Sequence, residues 1–238
     1  MSERKKLLGV PIDAITIEDS LTLIKNTISE HKKLHVITLN AEMIILAKQN
    51  KEFDDIVNQA ELLIPDGSGV VLGLKKIGVN VKKLPGVELA EKCVSEGLNI
   101  FMLGATQETI SKAYENLKQK YPNSNIVGFR NGFFKDSDND EVINEINNSN
   151  ANIVFVGLGV PKQEKWIRKN MNKLNASVFI GVGGSFDIFS GNIKRAPSIM
   201  RKLHLEWLYR LYLEPWRWKR MLALPKFFIM LYLGDSKK

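Results

Sequence analysis

Six short apolar runs, at 35–39, 62–65, 99–103, 126–129, 152–157 and 178–182, recur through the first 190 residues of this 238-residue chain. Most are β-branched or aromatic and nearly uninterrupted, as strands buried on both faces must be. Between them lie segments of helical character, at 17–29, 41–49, 52–59, 87–96, 106–120, 140–148 and 163–171. Thr16 and Asp19 mark the start of the first. Strand–helix alternation of this kind predicts an α/β fold, a Rossmann-like and mainly parallel sheet flanked by helices. Ligands of such sheets bind beyond the carboxyl ends of the strands. The polar and glycine-rich signals fall at those ends: Thr38–Asn40, Asp66–Gly67, Gly104, Gly157–Gly159 and Gly181–Gly184.

Charge divides the chain. The formal net charge is +8, yet residues 1–193 hold 23 basic and 23 acidic residues. Residues 194–238 hold 11 Lys/Arg against Glu206, Glu214 and Asp235, so the whole excess lies there. We therefore divide the chain into a Rossmann-like domain, 1–193, and a basic, aromatic C-terminal appendage, 194–238. Trp207, Tyr209, Tyr212, Trp216 and Trp218 are interleaved there with Arg201, Arg210, Arg217 and Arg220. The spacing places Leu203, Trp207 and Leu211 on one helical face, and Pro215 and Pro225 start or kink short helices. The apolar run 224–233 is about half the length needed to span a bilayer. Basic residues with Trp and Leu on helical segments predict an element lying in an anionic membrane surface. A helix packed on the sheet with a solvated basic face is the alternative, and buried helices rarely need so many Trp and Arg together. A nucleic-acid-binding tail is a second alternative, but nucleic acid has no use for the 224–233 run. Detached from a membrane, the apolar tail could drive a homo-oligomer in solution.

No run of about 18 apolar residues occurs, and the start lacks a signal-peptide pattern. With the single Cys93, this suits a cytoplasmic protein held peripherally on the inner face of the membrane. Neither GxGxxG nor GxxxxGK[ST] is present. Asp136, Asp138 and Asp140 resemble a calcium loop, but its sixth position is Glu141 and its twelfth Asn147, so a helix N-terminus explains them better. His31, His35 and His204 form no metal or triad pattern.

Asp66 follows a strand and precedes a Gly-rich turn, where a carboxylate could accept a proton from a substrate hydroxyl; it could equally cap the next helix. Thr38 and Asn40, two apart, share a face if the strand reaches them, although capping at Ala41 suffices to explain Asn40. Gln163 falls in the first turn of a helix, where it could face a sugar or phosphate. Gly183, Gly184 and Asp187 lie in a turn that offers backbone donors to an anion and an acid to a ribose.

The motifs TLNAEMI (38–44), PDGSGV (65–70), LPGVEL (84–89), LGATQET (103–109), NGFF (131–134), GLGVPKQE (157–164), GVGGSFDIFSG (181–191), RAP (195–197) and LEWLYRLYLEPWRWKR (205–220) occur in this order. Together they closely resemble the WecG/TagA/CpsF glycosyltransferases, family 26 of the sequence classification, over about residues 9–220. The resemblance implies an inverting, metal-independent transfer of a sugar from a UDP donor to an undecaprenyl-diphosphate-linked sugar, with no cofactor. Members move N-acetylmannosamine onto lipid-linked N-acetylglucosamine (a β-1,4 linkage) for teichoic acid linkage units. Others move N-acetylmannosaminuronic acid for common antigen, or other hexoses for capsule. By resemblance Asp66 is the general base, and Thr38, Asn40 and Gln163 line the sugar pocket. Gly104, Gly183, Gly184, Asp187 and Arg195 complete the expected substrate contacts. Lys83 stands where the family often has arginine; it keeps the charge without the bidentate fork. The tail cations Arg210, Arg217 and Arg220 are expected to face phosphate or membrane.

Overall fold

A computed structural model describes residues 3–234, apart from the side chains of Lys202 and Arg217. A hairpin of β1 (Glu3–Leu7) and β2 (Val10–Ala14) precedes α1 (Ile17–Ser29), β3 (Leu34–Leu39), α2 (Ala41–Gln49), α3 (Lys51–Gln59), β4 (Leu62–Pro65) and α4 (Ser68–Lys76). Then come α5 (Gly86–Ser95), β5 (Ile100–Gly104), α6 (Gln107–Lys120), β6 (Ile126–Arg130), α7 (Asn139–Asn148), β7 (Ile153–Gly157), α8 (Lys162–Asn170), β8 (Val178–Gly181) and α9 (Ser185–Phe189). The chain closes with α10 (Ser198–Lys202), α11 (Glu206–Leu213), α12 (Trp218–Met221) and α13 (Ala223–Leu233). Strands β3 to β8 form one sheet in the order β4-β3-β8-β7-β5-β6, and every pair is parallel.

The period of two along each strand explains the three layers. On β5, Ile100 and Met102 pack with α1, α5 and α6, whereas Phe101 and Leu103 pack with α7 and α8. On β3, Val36 joins the first of these cores, and Ile37 and Leu39 join a third, built from the hairpin, α2, α3 and α4. Both faces of the sheet are thus apolar, which accounts for the uninterrupted runs in the sequence.

The hairpin was not foreseen, because ERKKL (3–7) is too charged to read as a strand. Strand β1 pairs only with β2, and β2 covers the edge strand β4. Asp13, 3% exposed, accepts the Leu63 N–H at 2.9 Å and a two-point contact from Arg4 at 2.8 Å. The outer edge of β4 is thereby closed.

Residues after 194 depart from the expected single helical face. His204 takes a left-handed φ of 62°, so Leu203 ends α10 while Trp207 and Leu211 ride on α11. Glu214 then breaks α11, and Pro215 starts a short 3₁₀ turn as its fixed φ favours. Helix α13 packs back on α2 and α4: Phe227 is fully buried among Leu7, Val70 and Leu74, and Leu231 is nearly so. Gly73 makes the notch, since a Cβ there would lie 2.8 Å from Leu7 and 3.2 Å from Phe227. Lys76 donates to the Leu231 carbonyl at 2.6 Å. Tyr212, Trp216, Trp218, Leu222 and Leu233 stay exposed. Lys237, Lys238 and Asp235 of the charge count lie outside the described residues.

Gly104 ends β5 at φ 143°, where an added Cβ would lie 2.4 Å from the Gly157 carbonyl oxygen. Gly104→Ala is expected to cost about 2–5 kcal/mol, combining backbone strain with overpacking; urea unfolding followed by circular dichroism would show it.

Candidate active site

A cleft of about 500 Å³ opens beyond the carboxyl ends of β4, β3, β8 and β7 and is bounded on its far side by α11, α12 and the start of α13. Asp66 leaves β4 into this cleft. Its N–H bonds to the Leu39 carbonyl at 2.9 Å, which keeps it in line with β3. The side chain does not cap α4: that helix starts from Gly67, at φ 99°, with no side-chain cap. Instead Asp66 Oδ2 accepts the N–H of Gly86, the first residue of α5, at 3.3 Å. Gly86 fits because any Cβ there would strike Thr38 Cγ2 at 2.6 Å.

Burial pushes the Asp66 carboxyl up to about 6. The Gly86 N–H, Lys83 and Arg210 pull the other way, and Glu206 adds to the rise. A half-buried carboxyl in that range ionises near neutrality and is poised to take a proton from a hydroxyl.

Thr38 and Asn40 both line the cleft, on the same side of β3, and both are tied to the scaffold. Thr38 Oγ1 donates to the Gly181 carbonyl at 3.2 Å, joining β3 to the end of β8. Asn40 Oδ1 accepts the Met43 N–H at 3.0 Å and so caps α2. Gln163 also reaches the cleft, but its side chain is 1% exposed; it accepts from Gly183 N–H at 3.2 Å and donates to Glu164 at 2.7 Å. Gly183, Gly184 and Asp187 form the wall above β8.

Lys83 lies in the cleft, ion-paired with Glu206 of α11. Arg220 lines it too and bonds Glu42 of α2 at 2.6 Å. Arg210 lies beside Gly184, with no ion-pair partner among the described residues. The Arg217 side chain lies outside the described residues, and α11, which carries Arg210, ends before Glu214. Two expected contacts sit elsewhere. Gly104 is buried against Gly157 behind the cleft wall. Arg195 is not among the cleft-lining residues and pairs with Glu88 of α5, though its charge is felt by Glu206 of the cleft.

Sequence reasoning missed Glu42, His204 and Glu206 as cleft residues. His204 Nδ1 lies 2.8 Å from Ser68 Oγ at the start of α4. The signal for Glu206 was available: it is one of three acids among eleven cations. Asp136 and Asp138 form a 3₁₀ turn before α7, where Asp138 accepts the Lys135 N–H at 3.1 Å. No group of three His, Cys, Asp or Glu side chains among the described residues is placed to hold a metal ion.

The family model described as "Glycosyl transferase WecG/TagA/CpsF family" matches residues 5–237. The chain belongs to that family. Among its relatives, a Bacillus subtilis protein is 38% identical over 213 residues, covering 85% of this chain and 80% of its own. A Bacillus spizizenii protein is 38% identical over 205 residues, covering 84% and 79% respectively. A Staphylococcus aureus protein is 34% identical over 233 residues, covering 95% and 90%. All three are named N-acetylglucosaminyldiphosphoundecaprenol N-acetyl-beta-D-mannosaminyltransferase. As a WecG/TagA/CpsF glycosyltransferase, this chain has its cleft where doubly wound sheets hold their ligands.

Proposed function

We propose that this protein transfers N-acetylmannosamine from UDP-N-acetylmannosamine to undecaprenyl-diphosphate-linked N-acetylglucosamine. The reaction inverts the anomeric centre, forms a β-1,4 linkage and needs neither metal nor cofactor. The observation that carries the reading is the Asp66 carboxyl, set at the carboxyl edge of the sheet with Lys83 and Arg210 facing it electrostatically. The names of the relatives supply the sugars.

In this mechanism Asp66 accepts the proton of the acceptor hydroxyl as its oxygen bonds to the anomeric carbon. The bond from that carbon to the diphosphate breaks, and its electron pair leaves on UDP. Asp66 acts as the bond forms, because a carboxylate is too weak a base to deprotonate a sugar hydroxyl beforehand. Arg210, and Lys83 once released from Glu206, offer charge to the leaving diphosphate.

The charges of the cleft support a neutral sugar over a uronate. Lys83 and Arg220 already face Glu206 and Glu42, and Asp66 and Asp187 add further carboxyls. A donor carrying its own carboxylate would add a third anionic group to the two phosphates. No helix among the described residues is long and apolar enough to cross a membrane. The exposed Trp216, Trp218 and Leu222, with the basic residues around them, suit docking at the inner membrane face. That surface would meet the lipid-linked acceptor.

Incubating the full chain with a short-chain lipid-diphosphate-GlcNAc acceptor and a panel of UDP sugars tests the assignment. The product mass should show one added N-acetylhexosamine from UDP-N-acetylmannosamine. Selective use of the uronate donor would overturn it. The base must be ionised to act, so kcat/KM should hold level above pH 6 and fall about tenfold per unit below, following the Asp66 carboxyl near 6. A profile flat down to pH 4.5 would remove Asp66 from the base role.

A further inference from the structure

Gln163 and Glu164 open α8 with 1% and 0% exposure, deeper than their charge and polarity would predict. A backbone N–H can only donate, so the Gln163 atom facing Gly183 N at 3.2 Å is Oε1. That orientation sends Nε2 to Glu164, whose Oε1 accepts at 2.7 Å. Both ends of the amide are then occupied. Gly181 makes room for the arrangement: a Cβ there would lie 2.7 Å from Gln163 Nε2 and 3.1 Å from Glu164 Oε1. Glu164 forms no ion pair among the described residues, and its Oε2 has no partner. A buried carboxyl that stabilises nothing by charge is expensive, and the one side-chain bond it makes is to the Gln163 amide.

We propose that Glu164 is a positioning residue: it orients the Gln163 amide so that Gln163 clamps the Gly183–Gly184 turn from below, and through that turn sets the subsite for the donor diphosphate. The inference rests on the UDP-donor reading above. Gln163 then acts on the substrate through the Gly183 backbone and not with its own amide. Without an acceptor at position 164, the amide is free to turn over. Its NH₂ would then oppose the Gly183 N–H, two donors with no acceptor between them, and the turn would lose its anchor.

Calorimetric titration of the full-length protein with UDP tests this. Glu164→Leu, which fills the space without an acceptor, should weaken UDP binding roughly ten- to a hundredfold, the scale on which misplaced binding groups act. The KM for the donor should rise in parallel while that for the acceptor holds. Glu164→Gln keeps a carbonyl oxygen for Gln163 and should stay within about threefold of wild type. Tight UDP binding by the Leu variant, or equal losses in both variants, would overturn the role. The exchange Q163E/E164Q keeps both bonds, with the Gly183 N–H still donating to residue 163 and only the 163–164 bond reversed, so it stays informative if the Leu variant does not fold. It should bind UDP within roughly tenfold of wild type; a loss as deep as that of Gln163→Ala would mean that the Gln163 amide itself touches substrate. Wild-type protein that fails to bind UDP would overturn the donor reading, and this role with it.

Discussion

Replacing Asp66 by Asn is expected to lower turnover about 10²–10⁴-fold, the usual worth of general acid–base catalysis, while making the protein harder to unfold. The gain follows from linkage. In the fold the carboxyl is raised from 3.8 to about 6. Below 3.8 it is neutral in both folded and unfolded chains, and the fold carries no penalty. As pH rises through 6 the folded chain must hold a charge that its surroundings disfavour, and stability is lost. Each pKa unit corresponds to about 1.4 kcal/mol, so the penalty above pH 6 is on the order of 1–3 kcal/mol for this half-buried group. Asn still accepts from Gly86 N–H without the charge. Its melting temperature should therefore exceed wild type by about 2–10 °C at pH 7.5 and match it near pH 4. Comparing melts at the two values separates this from a general packing effect. An Asn variant that melts lower than wild type at pH 7.5 would show that Asp66 is held as a structural anion instead.

The second large effect concerns Phe227. Truncation to Ala empties a fully buried site among Leu7, Val70 and Leu74. Removing a buried Phe side chain typically costs about 3–5 kcal/mol, a sizeable part of a domain's stability. The loss should reach the active site, because α13 leads back through α12 to Arg220 and Met221 on the cleft wall. Phe227→Ala is thus expected to show a lower denaturant midpoint and reduced activity on a soluble acceptor. Trp216→Ala, at an exposed residue away from the cleft lining, should leave stability within about 0.5 kcal/mol. Equal stability of Phe227→Ala and wild type would mean that α13 is not anchored in solution as described.

The strands of the sheet were legible because most are apolar on both faces, as Leu62–Pro65 is, the edge strand β6 being only partly buried. Helix α4 was harder, since SGVVLGLKK carries two glycines whose purpose appears only in space: Gly73 admits Phe227 and Leu7. Asp66 announced itself by its place after a strand, but its partner, the Gly86 N–H, is 20 residues away. Asn40 is a cap, as its position suggested, and lines the cleft as well. Glu164 was illegible. In sequence it is an ordinary acid in a first helical turn, and only the missing side chain of Gly181 lets it sink into the core. The tail showed its charge but not its packing, because Phe227 and Leu231 look no different from the exposed Ile229 and Leu233 beside them.

The closed edge of β4 bears on how the protein is handled at the bench. Arg4 and Asp13 hold the strand that leads into Asp66, and Arg4 also donates to the Ala60 and Glu61 carbonyls just before it. Trimming the chain through Ala14 would strip the Leu63 N–H of its acceptor and leave a bare strand for a neighbouring molecule to template on. Such a shortened protein would be prone to stacking into sheets during concentration. A fluorophore or affinity handle is better placed at the exposed Glu30–Lys32 turn, at the end of the sheet opposite the cleft.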